Sequence, residues 1–349
     1  MELLGTTSKE LQELCDKHDK SGEVWARQAY RGKQIARWLY QRGVTNIDAM
    51  TNLPKEFRAQ LATDHTLSRS RVITESSTSD GARKFLLELT DGQRIESVLL
   101  PYPDRLTVCV STQVGCAAGC AFCASGEFGL VRNLTPGEIV DQVLTLQEQA
   151  GQRVTNVVYM GVGEPLLNYA GVVKSVRLLN EEVGVSARRI TISTVGVTPR
   201  IPDLARENLQ ITLAVSLHAP DDALRGQLIP VAKRYPLKEL LQACRSYADT
   251  TRRRVTIEYL LLAGVNDSPL QARQLAGLLK GMRLNVNLIP YNAVKGSRFR
   301  RPRSTVVGKF RKVLEDAGLE VTQRFERGDS IGAACGQLRR SQSQAATDG

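Results

Sequence analysis

No uninterrupted apolar run in this sequence approaches the roughly 20 residues that a bilayer span requires. The first twenty residues, MELLGTTSKELQELCDKHDK, carry charges throughout. The expectation is a soluble, cytoplasmic protein without a secretion signal. Cysteine is sparse, at 7 of 349 residues. Four of the seven, Cys15, Cys109, Cys244 and Cys335, are scattered, which argues against the dense disulfide framework of a small secreted domain and fits a reducing compartment. No repeat of 20 to 50 residues stands out, so a repeat array is not expected. Negative charge is in deficit: 36 Asp and Glu face 47 Lys and Arg, a formal net charge of +11. Such a surface attracts polyanions, with RNA, DNA and acidic membranes as the candidates. Positions 295 to 340 hold 12 Lys and Arg against 5 Asp and Glu, a surplus of 7 out of the 11.

What is present begins with 42% hydrophobic residues, enough for one big α/β domain or for a core with an appendage. Residues 1–90 read as a separate helical module with a β linker. In WARQAYRGKQIARWLYQRG, the residues Trp25, Tyr30, Ile35, Trp38 and Leu39 recur at helical spacing and are expected in a core. Arg27, Arg31, Lys33, Arg37 and Arg42 fall on the other faces, where arginines can track a phosphate backbone. A second helix is expected around PKEFRAQLATD, and two strand-like runs flank an Asp91-Gly92 turn. From Leu106 six short runs rich in β-branched residues follow: LTVCVST, VTNVVYM, RITIST, ITLAVSL, RVTIEYLL and LNVNLIP. Helical patterns separate them. The clearest spans 135–149, with Thr135 as candidate N-cap, Pro136 in the first helical position and Glu138 completing a capping box. Helices of this length between buried strands imply parallel pairing with right-handed crossovers, in a doubly wound sheet or an incomplete barrel over residues 91–330. Residues 331–349 read as a C-terminal segment with a frayed tail.

Parallel α/β folds collect ligands at the carboxyl ends of their strands. The unusual residues fall there. Cys116, Cys120 and Cys123 follow the first run, GVGEP (161–165) the second, and Ser193 ends the third. Ser216, Leu217 and His218 end the fourth, and Tyr291-Asn292 follow the sixth. The stretch GCAAGCAFCASGEFG places three thiols at C-x3-C-x2-C spacing on one compact loop. That set can hold three irons of a 4Fe–4S cluster and leave the fourth iron open. A structural zinc site asks for four ligands in paired spacings, and no second pair exists; a catalytic zinc with three cysteines stays open. An open iron can chelate the amino and carboxylate groups of S-adenosyl-L-methionine and reduce its sulfonium, a cleavage that gives a 5′-deoxyadenosyl radical. Taken alone, Cys15, Cys109, Cys244 and Cys335 read as small buried hydrophobes and His218 as a satisfied core histidine.

The cysteine triad, with Phe122 between its last two members and GVGEP further on, resembles the radical S-adenosylmethionine superfamily. QVGC, GEPLLN, SLHAP, RVTIEY, NLIPYN and AACGQL, in that order, are similar to the RlmN and Cfr group of RNA adenosine methyltransferases, from about Tyr30 to Leu338. The resemblance implies an α/β fold, a partial (β/α)6 TIM-like barrel with a small N-terminal helical domain that meets RNA. It assigns Gly163 and Glu164 to the methionine moiety, and Ser193, Ser216, Leu217, His218 and Asn292 to the rest of the S-adenosylmethionine pocket. It implies that Cys335 accepts a methyl group from one S-adenosylmethionine and that a second, giving two per turnover, supplies the radical that takes hydrogen from the methyl group of methylated Cys335. The carbon radical then attacks an adenine ring carbon, Glu96 accepts the ring proton, and Cys109 resolves the thioether adduct by forming a disulfide with Cys335.

So long a route has a physical reason. Carbon 2 of adenine lies between two electron-withdrawing nitrogens and is a poor nucleophile, whereas a radical can add there. The implied substrates are an adenosine of 23S rRNA beside the peptidyl transferase centre and the adenosine 3′ of a tRNA anticodon. The implied partners are those RNAs and an electron donor such as flavodoxin, with no membrane, acting on a monomer. Pro165 and Val114 resemble the carbon-2 type rather than the carbon-8 resistance type. Ser330 and Gly332 depart from the pattern, standing where the group often has acidic residues before Cys335, which alters the surroundings of that thiol. A rival reading, a non-catalytic zinc RNA-binding protein, expects RNA affinity indifferent to Cys335→Ala.

Overall fold

A computed structural model of the chain describes residues 1–18, 30–126, 129–292, 297–324, 331–334 and 336–338. Its strands are β1 (Arg71–Ser77), β2 (Arg83–Glu88), β3 (Arg94–Tyr102), β4 (Arg105–Cys109), β5 (Gln113–Gly115) and β6 (Leu130–Asn133). They continue with β7 (Asn156–Tyr159), β8 (Ile190–Thr194), β9 (Thr212–Ser216), β10 (Val255–Leu261), β11 (Leu284–Pro290) and β12 (Val321–Gln323). Ten of them form one sheet in the order β1-β2-β3-β4-β7-β8-β9-β10-β11-β12, while β5 and β6 pair separately. The six β-branched runs are β4, β7, β8, β9, β10 and β11, each parallel to the next. They form the partial barrel. β12 adds a short parallel strand beyond β11, and β1 to β3 extend the other side as antiparallel strands against β4.

The helices are α1 (Ser8–His18), α2 (Arg31–Ala36), α3 (Lys55–Asp64), α4 (Pro136–Ala150), α5 (Tyr169–Leu178), α6 (Arg200–Arg206), α7 (Asp222–Leu228), α8 (Leu237–Thr251), α9 (Pro269–Leu279) and α10 (Ser304–Asp316). α4 starts as expected: Thr135 accepts from the Glu138 amide, Glu138 accepts from the Thr135 amide, and Pro136 needs no donor. These helices cover the outer face of the barrel strands. Val157, Ile192, Leu213, Ile257 and Val286 are fully buried among Val140, Val143, Leu204, Leu240 and Leu275. Each such side chain contributes about 1.5–3 kcal/mol by leaving water, so the sheet is held from behind and its carboxyl edge is free to carry chemistry.

The barrel interior is not filled with apolar residues throughout. Thr107, Asn156, Thr191, Thr212, Thr256 and Asn287 line a polar cavity of about 1150 Å³, its open mouth included. Met160, Glu258 and Arg324 border both this cavity and the one at the strands' carboxyl ends.

The N-terminal helices dock on α4 and α5. Lys174 pairs with Glu10 at 2.8 Å, Ser8 donates to Glu182, and Arg69 pairs with Asp141. Helix α1 was not anticipated from the sequence; Leu11, Leu14 and Cys15 form its buried face. Ile35 and Leu39 are core, as expected, but Tyr30 is 48% exposed and Trp38 lies half-buried under the Arg42 guanidinium, 4.1 Å from its ring centre. The core aromatic is Tyr40, whose hydroxyl donates to the Thr6 carbonyl and accepts from the Gly5 amide. Arg31 is buried rather than solvated, whereas Lys33, Arg37 and Arg42 face solvent. Trp25 and Arg27 lie outside the described residues. No helix among the described residues is long and apolar enough to cross a membrane.

Candidate active site

The cysteine loop leaves β4 through the hairpin of β5 and β6. Gly115 has φ +79°, and a Cβ there would lie 1.9 Å from the Gly129 carbonyl oxygen, so only glycine lets the chain turn. The Cys116 amide donates to that same carbonyl at 3.0 Å. Further along, the Cys123 amide closes a turn onto Cys120, and the Ala121 amide donates to Leu228 at the end of α7. The loop is thereby fastened at both ends to the barrel. Cys116, Cys120 and Cys123 line one cavity of about 900 Å³, its open mouth included, together with Gly163, Glu164, Ser193, Ser216 and His218. That volume suits a nucleoside-sized ligand.

Each wall residue is held by a strand end. Gly163, with φ +112°, approaches so closely that a Cβ would meet the Thr112 hydroxyl at 2.6 Å. This contact presses GVGEP against the end of β4. Glu164 accepts from the Leu166 amide at 2.9 Å and the Val195 amide at 2.7 Å, and its own amide donates to Gln113. Burial pushes its carboxyl up to about 7, against the partial offset of those donors. A carboxylate in that state gains by receiving a cation. His218 adopts φ +60°, and its Nδ1 accepts from the Leu260 amide at 3.0 Å, which leaves the proton of the neutral ring on Nε2. Burial, with the nearby Arg225 charge, pushes its pKa down to about 3, so the ring is neutral at physiological pH.

The remaining expected residues fall close by but not on the cavity wall. Leu217 is buried in the core behind it. Asn292, 4% exposed after the wall residue Tyr291, has an Oδ1 without a hydrogen-bond partner among the described residues. An orphaned buried acceptor calls for a donor such as an exocyclic amine. Glu96 is buried on β3, and Lys84 reaches its Oε1 at 3.1 Å and the Gly332 carbonyl at 3.3 Å. Cys109, at the end of β4, packs with Val98, Leu100, Val162, Ala333 and Leu338. Cys335 lies outside the described residues. Its neighbours do not: the Gly336 carbonyl accepts from Ala124 at 2.8 Å, and the Leu338 carbonyl accepts from Ser125 at 2.5 Å. Lys84 and Arg324 had no signal in the sequence, while Gln113 and Glu258 stand within QVGC and RVTIEY, motifs that gave them no individual role.

The thiols fit a cationic cluster. Burial pushes Cys116 up to about 11 and Cys120 well above the ordinary thiol range, and the charges of Cys123 and Glu164 add to both. Thiolates so placed repel one another, a cost that a 4Fe–4S cluster held by the three would offset.

The partial barrel and its three-cysteine loop define the radical SAM class, and the sequence profile of the Radical SAM superfamily matches residues 110–275. That class carries a 4Fe–4S cluster and S-adenosylmethionine. The profile of the Ribosomal RNA large subunit methyltransferase N-terminal domain matches residues 1–67. A probable dual-specificity RNA methyltransferase RlmN of Synechocystis is 51% identical over 97% of this chain and 95% of its own length. One from Thermosynechococcus vestitus is 48% identical over 98% and 99%. The crystal structure of a radical SAM methyltransferase from Sphaerobacter thermophilus superposes with a TM-score of 0.90 at 48% identity, covering 97% of this chain and 99% of that one. The chain belongs to the RlmN family of radical SAM RNA methyltransferases.

Proposed function

We propose that this enzyme methylates carbon 2 of an adenosine in 23S rRNA, beside the peptidyl transferase centre, and of the adenosine 3′ of the anticodon in tRNA. Cys335 carries the methyl group and Cys109 resolves the adduct. The observation that supports this reading is the seat of the C-terminal segment. Ala333 and Leu338 share an apolar cluster with Cys109, Gly336 lines the cavity of the three cysteines, and Gly332 meets the lysine that pairs with Glu96. In sequence Cys335 stands among these four. The bound 4Fe–4S cluster, held by Cys116, Cys120 and Cys123, and two S-adenosylmethionines per turnover supply an electrophilic methyl group and a one-electron cleavage.

The chain's own residues receive, orient and exchange protons. Glu164 takes the methionine ammonium, and the orphaned Oδ1 of Asn292 takes the adenine amine; Ser193, Ser216 and His218 complete the wall. Glu96, oriented by Lys84, accepts the proton that leaves carbon 2. RNA meets the helical module of residues 1–90 through Lys33, Arg37 and Arg42, and the loop at Arg298 and Arg300, all exposed. The target base must be unstacked to enter, most cheaply from a loop. The protein works as a monomer in the cytoplasm, with a flavodoxin-type donor.

Mass spectrometry of rRNA and tRNA from cells lacking the gene tests the substrate: 2-methyladenosine disappears at both sites and returns with the wild-type gene. Cys335→Ala restores neither, and Cys109→Ala accumulates RNA covalently joined to protein. Full methylation by Cys335→Ser would sink the carrier role.

A further inference from the structure

Arg225, on α7, is 1% exposed and among the largest fully buried side chains. Its guanidinium forks between two carbonyls, donating from Nη2 to Val195 at 2.6 Å and from Nη1 to Tyr235 at 3.1 Å, while Nε has no partner among the described residues. No carboxylate of the described residues reaches ion-pair distance. Asp222, one turn earlier on the helix, accepts from the Leu237 amide instead. Burial pulls Arg225 down to about 10, so it stays charged at neutral pH. A buried cation without an ion-pair partner is destabilising, and it persists where some other charge answers it.

The surroundings narrow the source of that charge. The negative groups whose field reaches Arg225 are Asp222 and the thiols of Cys120 and Cys244. Burial pushes Cys244 up to about 12, which keeps it a neutral thiol. Cys120 and Leu224 both pack against the apolar cluster that contains Leu228 and Ile229, and the next residue after Cys120, Ala121, is bonded to the last turn of α7. Once it ligates iron, Cys120 is an anion at every working pH. The helix that carries the unanswered cation is thus the one to which the cysteine loop is tied.

We propose that Arg225 is the buried counter-cation of the cluster and that its charge makes the one-electron reduction of that cluster easier. The inference rests on the reading of Cys116, Cys120 and Cys123 as cluster ligands. When the cluster takes an electron from a one-electron donor, the site becomes more negative by one unit, and a fixed positive charge in a low-dielectric surrounding favours that state. Salt screens a buried pair little. Arg225 has a second effect that can be read separately. Val195, whose carbonyl it binds, is also the residue whose amide holds Glu164, so loss of the fork loosens the methionine end of the cavity.

The test uses the reconstituted, full-length holoenzyme under anaerobic conditions, with iron and sulfide content measured first and the cluster potential read by EPR during a dithionite titration. Arg225→Met and Arg225→Gln remove the charge; Arg225→Lys keeps it but reaches one carbonyl only. At a fixed potential the neutral variants should show a reduced-to-oxidised ratio about tenfold lower than wild type, which is about 59 mV for a one-electron couple. Arg225→Lys should stay within about threefold of wild type while binding S-adenosylmethionine more weakly. Neutral variants that load iron normally and titrate at the wild-type potential overturn the proposal. So does failure of both neutral variants to fold while Arg225→Lys folds and titrates far from wild type. A wild-type protein without iron and sulfide would sink the cluster reading itself, a separate outcome.

Discussion

Phe122 and His218 meet edge to face, with ring centroids 5.0 Å apart and planes at 80°. Phe122 lies between two of the loop cysteines, and His218, just past the end of β9, is fixed by the Leu260 amide of β10. The pair therefore clamps the cysteine loop to the opposite wall of the cavity. Such pairs contribute about 0.5–1.5 kcal/mol beyond the area they bury. Phe122→Ala should leave the barrel folded but let iron escape: anaerobic transfer of iron to a chelator should run roughly 5-fold to 10-fold faster, as expected for a local opening easier by about 1 kcal/mol. An unchanged transfer rate would show that the clamp holds nothing.

Glu164 makes the cofactor-free protein sensitive to pH. Its folded pKa, about 7, stands above the ordinary 4.5, so between those values the folded protein keeps a proton that the unfolded chain has released. Stability is therefore lost as pH rises through that window, by up to about 3 kcal/mol above pH 7. Glu164→Gln lacks this penalty. Without cofactor, the difference in melting temperature between variant and wild type should grow in the variant's favour from pH 5 to pH 8. The same substitution should abolish S-adenosylmethionine binding, and wild-type binding at pH 6 should release a proton, seen as a buffer-dependent calorimetric enthalpy. A constant difference across pH would refute the assignment.

Lys84 joins two parts of the site that are distant in sequence, since it bonds both Glu96 and Gly332. If Lys84 positions Glu96 as the proton acceptor, Lys84→Met should lower the methylation rate by about 10-fold to 100-fold, the range of a lost positioning partner. Iron content and S-adenosylmethionine affinity should hold, and limited proteolysis after residue 331 should quicken. A variant with normal methylation and normal proteolysis would remove Lys84 from the site.

Arg298 and Arg300 stand exposed on the loop whose Phe299 packs edge to face on the wall residue Tyr291, at 6.2 Å. If they bind phosphates, the double variant Arg298→Ala/Arg300→Ala should weaken RNA binding equally for different sequences. The slope of log affinity against log salt should fall by roughly 0.7–0.9 for each lost contact. A changed affinity with an unchanged slope would point to a contact other than phosphate.

Much of this architecture was legible because each barrel strand is covered by its neighbours and by helices, which demands β-branched runs. Residues at the carboxyl ends of those runs had to converge, and Cys116, Gly163, Ser193, Ser216 and His218 do. Strand β1 stayed hidden because it is mostly exposed and its residues, RVITESS, do not alternate. Strand β12 is three residues long, too short to leave a period. Helix α1 did carry a signal, the spacing of Leu11, Leu14 and Cys15, but within a segment whose charges also suit an exposed terminus. Arg225 and Lys84 could not be found this way. A charged residue on an amphipathic element reads as solvated until the packing shows otherwise.

The turn at Pro103-Asp104 joins β3 to β4 and pairs Tyr102 with Arg105, which sets Val98 opposite Cys109 and brings the Ser111 hydroxyl within 2.7 Å of the Glu96 carbonyl. One amino acid inserted or deleted there would slide the ladder by a step and turn alternate side chains to the wrong face. Length variation, usually cheap in a solvent-facing bend, is thus forbidden at a corner far from any reacting atom.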